Sequence, residues 1–192
     1  MKKSWIIIAS IAALIFMIYS SYNGTIQKNE DMKSSWSNVE TQYQRRGDLI
    51  DNLVNTVKGY ADFEKSTLTA VIEARSQATK ISVNVDDLTP EKIALYQKAQ
   101  GQLSGSIGRL LATVEQYPNL KANEGFLKLQ DEIAGTENRI AVARDNFNNA
   151  AKSYNIYIQT FPRNIFAGMF NFHAKGYFEA DSENKAAPVV KF

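Results

Sequence analysis

The stretch WIIIASIAALIFMIYSSY, Trp5 to Tyr22, contains no charged residue and constrains this chain more than any other feature. At 1.5 Å per residue it covers nearly the hydrocarbon thickness of a bilayer, about 30 Å. The branched and aromatic residues in it favour insertion, and no ionised side chain opposes them. Trp5 at one end and Tyr19 with Tyr22 at the other stand where amphipathic rings prefer the headgroup layer. The expected membrane-spanning set is therefore Trp5, Ile6, Ile7, Ile8, Ile11, Leu14, Ile15, Phe16, Ile18 and Tyr19. A cleaved secretory signal is the competing reading, because Lys2 and Lys3 precede the run. The length of the run and the lack of a small-x-small site at Ile18 to Ser21 favour a retained anchor. Lys2 and Lys3 weighed against Lys28 and Lys33 favour a cytoplasmic N-terminus, with the remainder of the chain outside.

Beyond the span, apolar residues recur at alternate steps of three and four, which draws one stripe along a helix. Tyr22, Asn29, Met32, Trp36, Val39 and Tyr43 lead to Ile50, Leu53, Val57, Tyr60 and Val71, and the pattern reaches Lys80. One helix of that length would run close to 90 Å, so a bend or break is expected at Gly47 or Gly59. Ile81 to Lys92 loses the period, and Thr89, Pro90 and Glu91 spell a helix start. A second helix then carries Ile93, Tyr96, Leu103, Ile107, Leu110, Val114 and Tyr117, with Gln100 out of character on its stripe. The third opens at Asn123 as N-cap and carries Phe126, Leu129, Ile133, Thr136, Ile140, Ala143, Phe147, Ala150, Tyr154, Tyr157 and Phe161 up to Pro162. Ile165 to Phe172 adds a short amphipathic turn that caps the bundle or touches lipid. The fold expected is all-α: an N-terminal transmembrane helix followed by an up-and-down antiparallel bundle of three to four long helices. Its expected divisions are an anchor over 1–21, a bundle over 22–172 and an extended or disordered tail over 173–192. Tyr22 already lies on the stripe, so little linker separates membrane from bundle.

Several chemistries are absent at the level of residue type. The chain has no cysteine, which excludes disulfides, thiolate zinc sites, a cysteine nucleophile and a lipid-modified cysteine. Its 22 basic and 20 acidic residues nearly balance, so no global field selects nucleic acid. The single histidine, His173, lies in the weakly patterned tail and reads as solvated. Carboxylate pairs occur at Asp48 and Asp51, Asp62 and Glu64, Asp86 and Asp87, and Asp131 and Glu132; only the first pair shares a helix face. No Glu-x-x-His pattern supports a di-metal bundle site. The run GQLSGSIG, Gly101 to Gly108, lacks the lysine and the strand of a phosphate loop, and its glycines read as sites of close helix packing. Arg46, Gly47 and Asp48 spell an adhesion tripeptide, but a helix interior cannot present it as a loop. No cofactor, metal or small-molecule substrate is expected.

Three ordered blocks resemble the LemA family of bacterial membrane proteins. They are Tyr22 to Glu64, YPNLKANEGFLKLQDEIAGTENRIAVARDNFNNAAKSYN from Tyr117 to Asn155, and FPRNIFAGMF followed by GYFEAD. Asp51 departs from the family pattern, which usually has proline there, and this removes a proline-set kink. The resemblance implies an N-terminal anchor and a helical bundle at the bacterial cytoplasmic membrane, and it implies no agreed enzymatic activity.

Polar residues on or beside the stripe form the candidate site: Arg45, Arg46, Asp48, Asn52 and Glu64 on the first arm, and Asn123, Glu137, Asn138, Arg139 and Arg144 on the third helix. They read either as interhelical ion pairs that set register or as a polar groove for a peptide or partner helix. Arg46 and Glu64 stand too far apart along one helix to pair, so a buried Arg46 would need a partner on another helix, the third above all. The function expected is a non-enzymatic interaction or scaffold role, with the lipid bilayer and an envelope protein or a second copy as partners. The alternative is an envelope sensor or regulator acting through a partner protein. An enzyme built on the Arg, Asp and Glu cluster has the least support.

Overall fold

The computed structural model describes residues 2–60 and 63–179. Asp62 of the paired carboxylates and the tail beyond Glu179 lie outside the described residues. The first helix, α1 (Lys2–Lys58), is continuous from the apolar segment into the bundle. It passes through Gly47 unbroken and ends beside Gly59, so of the two glycines it is the second that marks the break. At 1.5 Å per residue its 57 residues run about 86 Å. The apolar part is long enough to cross a bilayer and is almost bare of protein contact, with Trp5 73% and Phe16 70% exposed.

After the break, α2 (Lys65–Lys80) turns back along α1, and a 3-10 turn (Val85–Asp87) leads into α3 (Pro90–Val114). The start of α3 follows its sequence signal: the Thr89 hydroxyl accepts from the Lys92 amide and Pro90 fills the first turn. The short α4 (Pro118–Lys121) bridges to α5 (Glu124–Gln159), where Asn123 caps by accepting from the Phe126 amide at 2.9 Å. The Asn123 amide also donates to the Tyr60 hydroxyl, which ties the far ends of α1 and α5 together. At the opposite end the Tyr157 hydroxyl donates to the Ser20 carbonyl, so α5 returns to the top of the apolar segment. The course is up, down, up, down, and among the described residues there is no strand.

The helices do not share one length, and this shapes the molecule. α2 and α3 flank only the distal part of α1, where Leu53, Val57, Val71, Leu110, Leu120 and Phe126 form an apolar core. A middle layer gathers Met32, Trp36, Val39, Tyr43, Tyr96, Phe147 and Phe178. Trp36 is fully buried there, stacked on Phe178 at 5.8 Å and edge-on to Phe147 at 5.2 Å. Nearest the apolar segment only α1 and α5 continue. The Tyr157 side chain lies directly against Gly24, where a β-carbon would fall 1.9 Å from its hydroxyl. The last helix, α6 (Arg163–Met169), packs across this foot. It ends in a paired-bond helix stop, with the Phe172 amide bonded to the Ala167 carbonyl and the Asn171 amide to Gly168. Asn171 takes the left-handed φ of 60° that this stop requires, and Phe170 and Phe172 are thereby set against Tyr22.

Candidate functional site

The closest backbone approaches are of α1 with α5 and of α2 with α3. The remaining side, between α3 and α5, stands open as a groove of about 1340 Å³. Its wall on α3 carries Gly101, Ser104 and Gly105, its wall on α5 carries Glu137, Ile140 and Arg144, and Tyr43 and Arg46 of α1 form its floor.

Arg46 is the residue around which the floor is built. It is 1% exposed, and a charge so removed from water must be paired. One terminal nitrogen donates to Glu137 Oε1 at 2.8 Å and to Ser104 Oγ at 2.8 Å, while the other donates to the side-chain and backbone oxygens of Gln100. The guanidinium also sits 4.9 Å from the centre of the Tyr43 ring. Three helices are thus tied through one side chain. Gln100, the polar exception on the α3 stripe, is buried because Arg46 needs acceptors there. Burial raises the phenol pKa of neighbouring Tyr96, with Tyr43 and Glu40 adding to the effect, so Tyr96 stays protonated.

Of the other sequence candidates, Arg45, Asp48, Asn52, Asn138 and Arg139 point to solvent. Glu64 is exposed beside the break and accepts from Ser66, far from Arg46 along the bundle. Asp51, noted for replacing proline, pairs instead with Arg75 of α2. Arg144 reaches the lower end of the groove, where it donates to the Glu179 carbonyl at 2.7 Å and lies 5.1 Å from the Phe178 ring.

That lower end is filled by the chain itself. Residues 173–179 run extended, and side-chain amides hold their peptide groups two bonds at a time. Asn155 accepts from the Lys175 amide and donates to the Lys175 carbonyl, both at 2.8 Å. Asn148 does the same for Phe178 at 2.9 Å. Gln97, from α3, donates to the Glu179 carbonyl at 2.8 Å and accepts from its amide at 3.1 Å. The spacing is matched: Asn148 and Asn155 lie about two turns apart, roughly 10.5 Å, and three extended residues span roughly 10 Å. Gly176 passes against α3 so closely that a β-carbon would lie 2.7 Å from the Pro90 Cα. Its amide donates to the Leu88 carbonyl. Lys175, partly buried, has its pKa lowered by desolvation, and its ammonium donates to the Asp86 carbonyl at 2.6 Å.

Sequence reasoning missed Gln97, Asn148, Asn155 and Phe178. The seven-residue spacing of the two asparagines on one helix was the available signal, but amides on a helix usually face water. The glycines at 101, 105 and 108 correct a packing expectation. A β-carbon at any of them would meet nothing within 4 Å, so they do not serve close packing within this chain. Chemistry is sparse. Among the described residues no three His, Asp or Glu side chains stand together to hold a metal ion, and His173 is exposed with its ring bonded to Asn171.

Comparison with known proteins agrees with this architecture. Residues 35–192 match the LemA family, and the chain belongs to that family. It is 28% identical over 191 residues to magnetosome protein MamQ 1 of Paramagnetospirillum magneticum, covering 90% of this chain and 70% of that protein. Over 188 residues it is 28% identical to MamQ of Magnetospirillum gryphiswaldense, covering 89% and 69%. It is also similar to protein LemA of Metamycoplasma hominis, 27% identical over 173 residues, covering 90% and 75%. None of these names carries a reaction.

Proposed function

We propose that this member of the LemA family is a single-pass, membrane-anchored interaction protein whose α3–α5 groove receives a segment of a partner protein. The single observation that carries the reading is that the lower end of the groove already holds an extended polypeptide by its backbone, while the upper end is open. Gln97, Asn148 and Asn155 read peptide groups rather than side chains, which is how a groove accepts extended chains of varied sequence. Above them, Gly101 and Gly105 leave room for a partner's backbone to come close. Two interior glycines cost about 1 kcal/mol each against alanine, and no packing within the chain offsets that cost. A non-enzymatic role fits a groove whose polar side chains are engaged in holding Arg46 and the backbone of residues 175–179. The apolar part of α1 inserts in the cytoplasmic membrane in this reading, and the bundle stands on the extracytoplasmic side.

Photo-crosslinking in native membranes from position 98, an exposed position on the α3 wall, tests the groove. Recovery of a discrete partner that is lost when Gly101→Leu and Gly105→Leu fill the groove supports the reading, provided helix content is unchanged. An identical crosslinking pattern from the filled variant contradicts it. The unbroken α1 favours a second reading, in which the chain relays a partner-dependent signal towards the bilayer. Partners that change with a stimulus would favour that reading over a constant scaffold. A topology reporter fused after Phe192 that is active only in the cytoplasm would reverse the orientation.

A further inference from the structure

The foot of the bundle exposes apolar side chains in a way the distal end does not. Ile165 is 53% exposed and Met169 69%, and their four-residue spacing places them on one side of α6, while Phe161 in the turn before it is 75% exposed. Phe170 reaches further, lining an apolar hollow of about 500 Å³ with Ile15, Ile18, Tyr19 and Tyr22 from the last turns of the apolar segment. α6 therefore sits at the depth where that segment ends. Directly above lies a second cleft of about 440 Å³, lined by Lys28, Lys152 and Arg163 together with Asn149, Ser153 and Thr160. No carboxylate is among its lining residues. Arg163 is held in place by the Tyr157 ring at 4.2 Å, and the Tyr157 hydroxyl bonds to the Ser20 carbonyl, so the arginine is tied to the level of the membrane boundary. Lys28 is six residues past Tyr22, about 9 Å along the helix, within reach of a headgroup layer about 5 to 7 Å deep for a long side chain.

We infer that the foot is a second membrane-contact surface: Phe161, Ile165, Met169 and Phe170 enter the acyl boundary, and the cleft of Lys28, Lys152 and Arg163 holds the phosphate of an anionic lipid headgroup. The inference rests on the reading that the apolar segment crosses a bilayer. Its continuity with that segment names the occupant. Apolar residues below and cations above match the order of acyl chain and phosphate in a leaflet.

The lack of cysteine makes the test direct, since a single introduced cysteine carries a nitroxide with no background. Leu14→Cys, Met169→Cys and Ile72→Cys of the full chain in phosphatidylcholine nanodiscs containing phosphatidylglycerol report the segment, the foot and the distal bundle. Collision rates with oxygen and with a water-soluble nickel chelate should give lipid-like values at positions 14 and 169 and water-like values at 72. Lipid-like values at 14 with water-like values at 169 overturn the contact at the foot and leave the span intact. Water-like values at 14 overturn the span reading itself. For the cleft, native mass spectrometry of the chain released from mixed nanodiscs should show retained phosphatidylglycerol. Lys28→Gln, Lys152→Gln and Arg163→Gln should each lower that retention by up to about fivefold. Equal retention by the native chain and the triple variant, or no preference over phosphatidylcholine, overturns the headgroup site.

Discussion

The distal half of the bundle and its foot are made from the same two helices, yet they solve the problem of apolar surface differently. Distally α1 and α5 are joined by α2 and α3, and Leu53, Val57, Leu110 and Leu120 are nearly or fully withdrawn from water. At the foot α2 and α3 are missing, and α6 covers only part of what they would bury. Tyr22, Ile156, Phe161, Ile165 and Met169 remain exposed. Four helices can enclose an apolar stripe by themselves, whereas two and a fraction need something else beside them. In the arrangement proposed for the foot, that neighbour is the membrane to which α1 would lead.

The largest effects should come from the layer where the two halves join. Trp36→Ala removes the ring packed by Phe147, Tyr96 and Phe178, and Phe178→Ala removes its stacking partner. Each should cost about 3 to 5 kcal/mol in denaturant unfolding of the detergent-solubilised chain. The Phe178 result is the sharper one. If it left stability unchanged, the extended segment would be an ornament on the bundle and the halves would be independent.

Next in size is Arg46→Ala, which releases Gln100, Ser104 and Glu137 at once. Removing one member of a buried pair costs about 3 to 5 kcal/mol, and the lower end applies because the Glu137 side chain is 41% exposed. Parallel loss of α3 and α5 protection in hydrogen exchange would confirm that the floor ties them together. Loss confined to one helix would show that it does not.

At the foot, Ile165→Ser should change stability in detergent by less than about 0.5 kcal/mol, because the side chain meets little protein. A loss as large as that of Leu53→Ala, about 2 to 5 kcal/mol, would erase the contrast between the halves.

The smallest effect concerns Lys33 and Asp86, which join α1 to the turn before α3 at 2.7 Å. The hydrogen bond to Lys33 lowers the Asp86 pKa, and the bonds to Asp86 and Glu30 raise that of Lys33. The stabilisation from Asp86 is complete above the ordinary carboxylate pKa of about 3.9 and is lost as pH falls through its lowered value. That from Lys33 is complete below about 10.4 and is lost as pH rises through its raised value. Melting curves of Asp86→Asn should therefore lie slightly below those of the native chain at neutral pH and merge with them in acid. A constant offset down to the lowest pH would mean the pair is not the cause.

Much of the helical order was legible because period and caps are local signals. The Thr89 and Asn123 starts, the two stripes around Trp36 and Phe147, and the expected all-α bundle follow from residues a few positions apart. The break at Gly59 rather than Gly47 was not legible, because both are glycines within one periodic run. The difference is tertiary: at Gly47 the helix is buried against α2, where Arg75 donates to the Gly47 carbonyl. The candidate site was half legible. Arg46 and Gln100 stood out as polar residues on apolar stripes, and Glu137 was flagged without its partner. The clamp of Asn148, Asn155 and Gln97 joins positions up to 82 residues apart, which no period reveals. The tail offered little pattern, because an extended segment held by its backbone needs few particular side chains.

The foot can meet the bilayer as proposed only if α1 passes from the apolar segment into the bundle without a hinge. Nitroxides on Leu14→Cys and Ser37→Cys in nanodiscs measure it by pulsed dipolar spectroscopy. Twenty-three residues of helix predict a backbone separation of about 35 Å with a narrow distribution. A broad distribution centred well below that value would place a joint between membrane and bundle and contradict the account.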